Sequence, residues 1–141
     1  MNFKPVGVIH SPWSRRQEAP HQGKGISEIE LSEEYAEGLR DIETFTHIHV
    51  IYWLHESDGF ALSVRTPWDP RPHGLFATRT YRRPNPIGYA AVKLIKRENN
   101  ILKVEGLDAI EGTKVIDIKP YIPEVDRKEA GSGWLAGRFR A

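Results

Sequence analysis

Eight short runs rich in Val, Ile, Thr and aromatic residues, each closed by turn residues, leave this chain little choice of architecture. They are Pro5 to Ile9, Ser27 to Leu31, His47 to Leu54, Ala61 to Arg65, Leu75 to Thr78, Gly88 to Lys96, Ile101 to Gly106 and Lys114 to Ile118. Regular short strands with turns between them predict an all-β barrel-like domain. Only Glu33 to Leu39 reads as a helix, with Ser32 as its N-cap and acids in its first turn. Asn99-Asn100 predicts a tight hairpin between Gly88–Arg97 and Ile101–Gly106. A length of 141 residues without a break in composition fits one domain. That domain is expected over residues 1–126, with 127–141 as a tail whose GSGWLAGRFRA sequence suggests loose order.

Several function classes are excluded early. No G-x-G-x-x-G, no phosphate cradle ending in G-K-[ST] and no G-x-S-x-G elbow is present. The chain has no cysteine, so thiolate chemistry, disulfides and cysteine metal sites fall away, as suits a reducing cytoplasm. Val50 to Leu54 is the longest apolar run, far short of a membrane span, and the N-terminus lacks the apolar region of a signal peptide. A soluble, cytoplasmic protein is expected.

Net charge is only +1, but its distribution is uneven. From Pro70 to Arg97 there is no acid, against Arg71, Arg79, Arg82, Arg83, Lys93, Lys96 and Arg97. Within GLFATRTYRRPNPIGY, Pro84 and Pro86 hold Asn85 in extended geometry among arginines. Guanidinium forks suit carboxylates, phosphates and base edges, although a solvated basic face has the same composition. DIKPYIP places Asp117, Lys119 and Tyr121 at a strand end, with Val115, Ile116 and Ile118 expected in the core. Such a trio can accept a proton, pair a carboxylate and stack a base, or form only a surface Asp–Lys pair beside a half-buried Tyr. His47 and His49 share a strand face and could ligate a metal, but no carboxylate nearby completes a triad.

The blocks VGVIHSPW, APHQG, GLRDIETFTHIHVIYWLH, GLFATRTYRRPNPIG and GLDAIEGTKVIDIKPYIP, in this order, resemble the TsaA/TrmO family of S-adenosylmethionine-dependent tRNA methyltransferases. The resemblance implies a β-barrel homodimer that methylates N6 of N6-threonylcarbamoyladenosine beside the anticodon, with the cofactor near the subunit interface and no metal. It implies cofactor contacts from Pro20, His21 and Gln22, from His55 and Glu56, from Arg79, and from Asp108, Ala109, Ile110 and Glu111. On the substrate side it implies Arg82, Arg83 and Asn85, with Asp117, Lys119 and Tyr121 at the reacting centre. His21 stands where the family usually has Arg, Glu111 where it often has Asp, and Lys114 where it has Pro. Some family members carry a second C-terminal domain, so tRNA capture is expected to rely on the barrel, its dimer mate and the tail. A non-catalytic RNA-binding module and a metal-dependent barrel enzyme are the rival classes.

Overall fold

Alternation of buried and exposed residues along the strands is what closes this chain on itself. In a computed structural model, which describes residues 1–140, β1 (Gly7–His10), β2 (Ile26–Leu31), β3 (His47–Trp53), β6 (Ile87–Glu98), β7 (Ile101–Glu105) and β8 (Lys114–Pro120) form a closed barrel. Their order is β1-β2-β7-β6-β3-β8, every pair is antiparallel, and β8 returns to β1. β4 (Ser63–Thr66) and β5 (Asp69–Gly74) make a separate two-stranded hairpin. Closure leaves the barrel without an unpaired edge.

Ile9, Ile29, Ile48, Val50, Ala90, Val92, Leu102, Val104 and Val115 fill the interior, with Tyr52 at one end of the core. Gly88 lies flat against the Tyr52 ring, where a Cβ would come within 2.3 Å of it, so no other residue fits without displacing the ring. The β6–β7 hairpin turns at Asn99, whose φ of 53° is the left-handed geometry that Asn tolerates. No helix among the described residues is long and apolar enough to cross a membrane.

The observed elements depart from expectation at four places. Leu75–Ala77 is a turn of 3-10 helix rather than a strand, and the strand is Asp69–Gly74 despite Pro70 and Pro72. Prolines are tolerated there because the hairpin has only edge strands, whose outer groups need no partner. Glu33–Leu39 is 3-10 rather than α-helical, and Ser32 makes no side-chain cap. In β8 the register shifts so that Asp117 faces Ile51 but Val115 faces Tyr52, leaving Ile116 as a bulge residue outside the core. The bulge lets both Val115 and Ile118 turn inward while Asp117 and Lys119 stay outside.

The fourth departure is the tail. After α1 (Pro123–Asp126) the chain returns to the β4–β5 hairpin and makes specific contacts there. Trp134 stacks on His73 with centroids 3.8 Å apart and donates from Nε1 to the Ala77 carbonyl at 2.9 Å. Phe139 packs on Trp68, whose Nε1 donates to the Arg140 carbonyl.

Candidate functional site

Residues 11–25 cross the mouth of the barrel because both ends of the crossing are pinned, the first by the Glu111 N–H donating to the Trp13 carbonyl at 2.7 Å and the second at Gly106. The Gly23 N–H donates to the Gly106 carbonyl at 3.0 Å, and the Gly106 N–H donates to Gly25 at 2.9 Å. Gly106 has φ 108°, and a side chain there would press on the Gly23 backbone at 3.2 Å. This pinning sets Pro20, His21 and Gln22 on the wall of a cleft of about 560 Å³, with Arg16, Arg79, Asp108, Trp68, Leu135 and Phe139 around it. Gln22 is held by donating from Nε2 to the Tyr89 carbonyl at 2.9 Å.

Asp108 is the carboxylate of the cleft. It accepts the Tyr52 hydroxyl at 2.5 Å on Oδ1, and among the described residues nothing engages its other oxygen. Burial, then the Asp108 charge and this hydrogen bond, push the Tyr52 phenol far above its ordinary value, so it stays a neutral donor. The carboxylate is therefore oriented from inside the core and open toward the cleft.

The three arginines singled out around RPNP divide by partner. Arg83 donates to the Thr78 and Thr80 carbonyls, both at 3.0 Å, and so braces the loop that carries Arg79. Arg82 lies over the Tyr81 ring at 5.7 Å. Arg79 is exposed, has no hydrogen bond or ion pair among the described residues, and stands 6.0 Å from the Tyr89 ring. Asn85 is exposed, with its backbone carbonyl accepting the Ile87 N–H at 2.7 Å. Elsewhere in the acid-free stretch three cations pair with acids outside it: Arg71 with Asp69 and Lys96 with Glu98, each two residues away, and Arg97 with Glu43.

His55 and Glu56 lie with Asp108, Ala109 and Ile110 along a crevice of about 30 Å³, enough for one water. Ala109 and Ile110 are themselves buried, so Asp108 is the polar side chain that segment presents. Glu111 turns the other way. It accepts the Ser11 N–H at 2.9 Å and pairs with His10 at 3.1 Å, and these bonds hold its carboxyl below the usual range.

Asp117 and Lys119 sit outside the barrel on the outer face of β8, Tyr121 follows just past the strand's end, and none of them lines the cleft. Lys119 pairs with Asp117 at 3.1 Å, and Asp117 also accepts the Ile118 N–H. Tyr121 packs against His49 with centroids 5.2 Å apart. His49 has both ring nitrogens occupied, one by the Tyr89 hydroxyl and one by Asp126, each at 2.9 Å. With His47 bonded to Thr46, no group of three metal-ligating side chains forms among the described residues.

Two further residues matter that sequence reasoning passed over. Arg16 lies 4.3 Å above the Tyr81 ring and reaches both the cleft and the crevice beside it. Tyr89 joins the two faces: its carbonyl holds Gln22, its ring neighbours Arg79, and its hydroxyl holds His49. The only signal for Tyr89 is its position at the end of RPNPIGY, and Arg16 has none beyond its charge.

Comparison with known proteins supplies the family. Residues 8–127 match the model of the tRNA-methyltransferase O N-terminal domain. A probable S-adenosyl-L-methionine-binding protein of Archaeoglobus fulgidus is 50% identical over 139 residues, covering 96% of this chain and 38% of that protein. A tRNA (adenine(37)-N6)-methyltransferase of Escherichia coli K12 is 36% identical over 135 residues, covering 86% of this chain and 57% of its own length. The crystal structure of TrmO from Pseudomonas aeruginosa superposes with a TM-score of 0.78 at 29% identity, covering 95% of this chain and 62% of that one. The chain thus spans less than two thirds of each of these three relatives. A model match over most of the chain, together with the shared barrel, means that the protein belongs to the tRNA-methyltransferase O family.

Proposed function

We propose that the chain binds S-adenosylmethionine in the cleft at the barrel mouth and transfers its methyl group to N6 of N6-threonylcarbamoyladenosine next to the anticodon of a tRNA. The observation that carries this reading is the convergence of Gln22, Arg79 and Asp108, from three separate segments, on one cleft of about 560 Å³. Small-molecule sites typically occupy about 300–1,000 Å³ and combine apolar walls with a few placed polar groups.

The donor set fits the cofactor. Asp108 offers an open carboxylate oxygen for ribose hydroxyls or an ammonium, Arg79 offers a free guanidinium for a carboxylate, and Trp68 and Phe139 offer flat apolar surface for an adenine. When bound, S-adenosylmethionine supplies an electrophilic methyl group on a positively charged sulfur. The side chains around the cleft then hold the acceptor nitrogen in line and exclude water, which is where most of the acceleration in such a transfer originates. In this reading Asp117 accepts the N6 hydrogen bond and takes the proton. Tyr121 stacks the adenine, while Lys119 and an arginine neutralise the threonyl carboxylate.

Because those three residues do not line the cleft of their own chain, the reading requires a second copy to bring them there, and so includes a homodimer. It also places the protein with the tRNA of the cytoplasm. The carboxylate is the specificity handle, since a desolvated cation left unpaired by plain adenosine penalises the wrong substrate.

The test is to incubate the purified protein with labelled S-adenosylmethionine and tRNA carrying or lacking the threonylcarbamoyl group, then digest and identify the nucleoside. Methyl on N6 in modified tRNA alone is the expected result. Equal methylation of both tRNAs removes the carboxylate argument, and no transfer to either removes the substrate.

A further inference from the structure

The match to the family domain ends at residue 127, yet the cleft is closed by residues beyond it. Leu135 and Phe139 line the cleft together with Gln22 and Asp108, and they also line the adjoining space of about 580 Å³ that the β4–β5 hairpin walls with Val64, Thr66 and Trp68. Phe139 rests one side on Trp68, with ring centroids 5.2 Å apart, and still leaves 61% of itself exposed. A large aromatic face left open at the edge of a cleft with few polar groups is surface that a planar ligand covers.

The tail reaches this place through a buried charge that methyl transfer does not use. The Asp69 side chain is only 2% exposed and faces two guanidiniums, Arg138 at 2.8 Å and Arg71 at 3.3 Å, and the His73 imidazole at 2.8 Å. A buried carboxylate is costly unless it is paired. Two of its partners belong to the hairpin, and the third, Arg138, comes from the tail. Burial pushes the Asp69 carboxyl up, but the Arg71 N–H, His73 and the two guanidiniums outweigh it and hold it well below the usual range. Trp134 adds a second anchor at the Ala77 carbonyl, two residues from Arg79.

We propose that residues 133–140 are part of the cofactor site: Leu135 and Phe139 contact the adenosine part of S-adenosylmethionine, and the Asp69–Arg138 pair is the positioning latch that holds them over the cleft. The inference rests on the cofactor reading above. A bound adenosine shares the Trp68–Phe139 surface, so ligand binding and tail docking stabilise one another.

Calorimetric titration of the full chain with S-adenosylhomocysteine tests it, using wild type, Phe139→Ala, Arg138→Ala and Arg138→Lys. Phe139 is 61% exposed, and Arg138→Ala leaves Asp69 its two hairpin partners, so both variants keep the barrel folded; thermal melting without ligand should be unchanged for Phe139→Ala and only modestly lowered for Arg138→Ala. Phe139→Ala and Arg138→Ala should each weaken binding about tenfold. Arg138→Lys, which keeps the charge, should recover part of that loss. The ligand should also protect wild type from trypsin at Arg138 and Arg140, and protect Phe139→Ala, which keeps both sites, less. Wild-type affinity in both alanine variants overturns the inference and leaves the cofactor reading standing. Absence of binding to wild type overturns the cofactor reading and the inference together.

Discussion

The mouth of the barrel and the outer face of β3 and β8 carry the same family signature but are built for different things. At the mouth, Asp108 is fixed from below by Tyr52, Gln22 by the Tyr89 carbonyl, and Arg79 is left free by the bracing of Arg83. Each polar group there keeps capacity in reserve for something that the chain itself does not supply. On the outer face the side chains satisfy one another: Asp117 with Lys119, and His49 with Tyr89 and Asp126. A cleft with unspent hydrogen-bonding capacity binds a small molecule, whereas a flat self-satisfied face acts only when something displaces its own pairs. The proposed homodimer is what would turn the second kind of surface into part of the first.

The largest effect tests the platform that both regions share. Leu102→Ala empties a fully buried position in the barrel and should cost about 2–5 kcal/mol, measured by urea unfolding, with cleft and outer face lost together. Gly88→Ala should cost about 1–3 kcal/mol, because its Cβ collides with the ring that orients Asp108. If that variant instead keeps both stability and cofactor affinity, Tyr52 does not tie the cleft to the core.

The contrast itself is broken or sharpened by one pair of variants. Asp108→Asn should weaken S-adenosylhomocysteine binding about tenfold, the loss of one charge-assisted contact. Asp117→Asn should leave that affinity alone and slow methyl transfer about 100-fold, the lower range for a proton acceptor. Were Asp117→Asn to weaken binding as much as Asp108→Asn, the two faces would be one site; full turnover would remove the acceptor role.

The smallest effect concerns pH. Hydrogen bonds to Glu30 and then Glu111 raise the His10 pKa above its ordinary 6.5, so its contribution is present below that value and is lost as pH rises through the folded value. The Glu111 carboxyl is lowered from 4.5, chiefly by His10, so its contribution is present above 4.5 and is lost as pH falls through the folded value. The cluster therefore helps most between pH 4.5 and 6.5. At a site this exposed, water screens it to about 0.2–1 kcal/mol. His10→Gln should lower the melting temperature at pH 5.5 more than at pH 8; equal losses would mean that the ion pairs contribute nothing.

Strands whose side chains alternate strictly were legible, because that pattern is local and needs no knowledge of the partner. β2 and β3 are such strands, and Asn99 announced the one tight hairpin of the barrel. β5 was hidden by Pro70 and Pro72, which argue against a strand until its edge position is known. The bulge at Ile116 was hidden as well, since an extra residue is visible only against the strand opposite. The tail read as loose from its glycines, but Trp134 finds the Ala77 carbonyl 57 residues away.

The amino-acid sequence by itself determined the barrel, the motifs and the family, all of which rest on short-range periodicity and on residue identity in order. Only the tertiary structure decided that Gln22, Arg79 and Asp108 meet in one cleft while Asp117, Lys119 and Tyr121 face outward. That partition follows from register, from one bulge and from barrel closure, which are agreements between segments far apart in the chain and leave no mark on either segment alone.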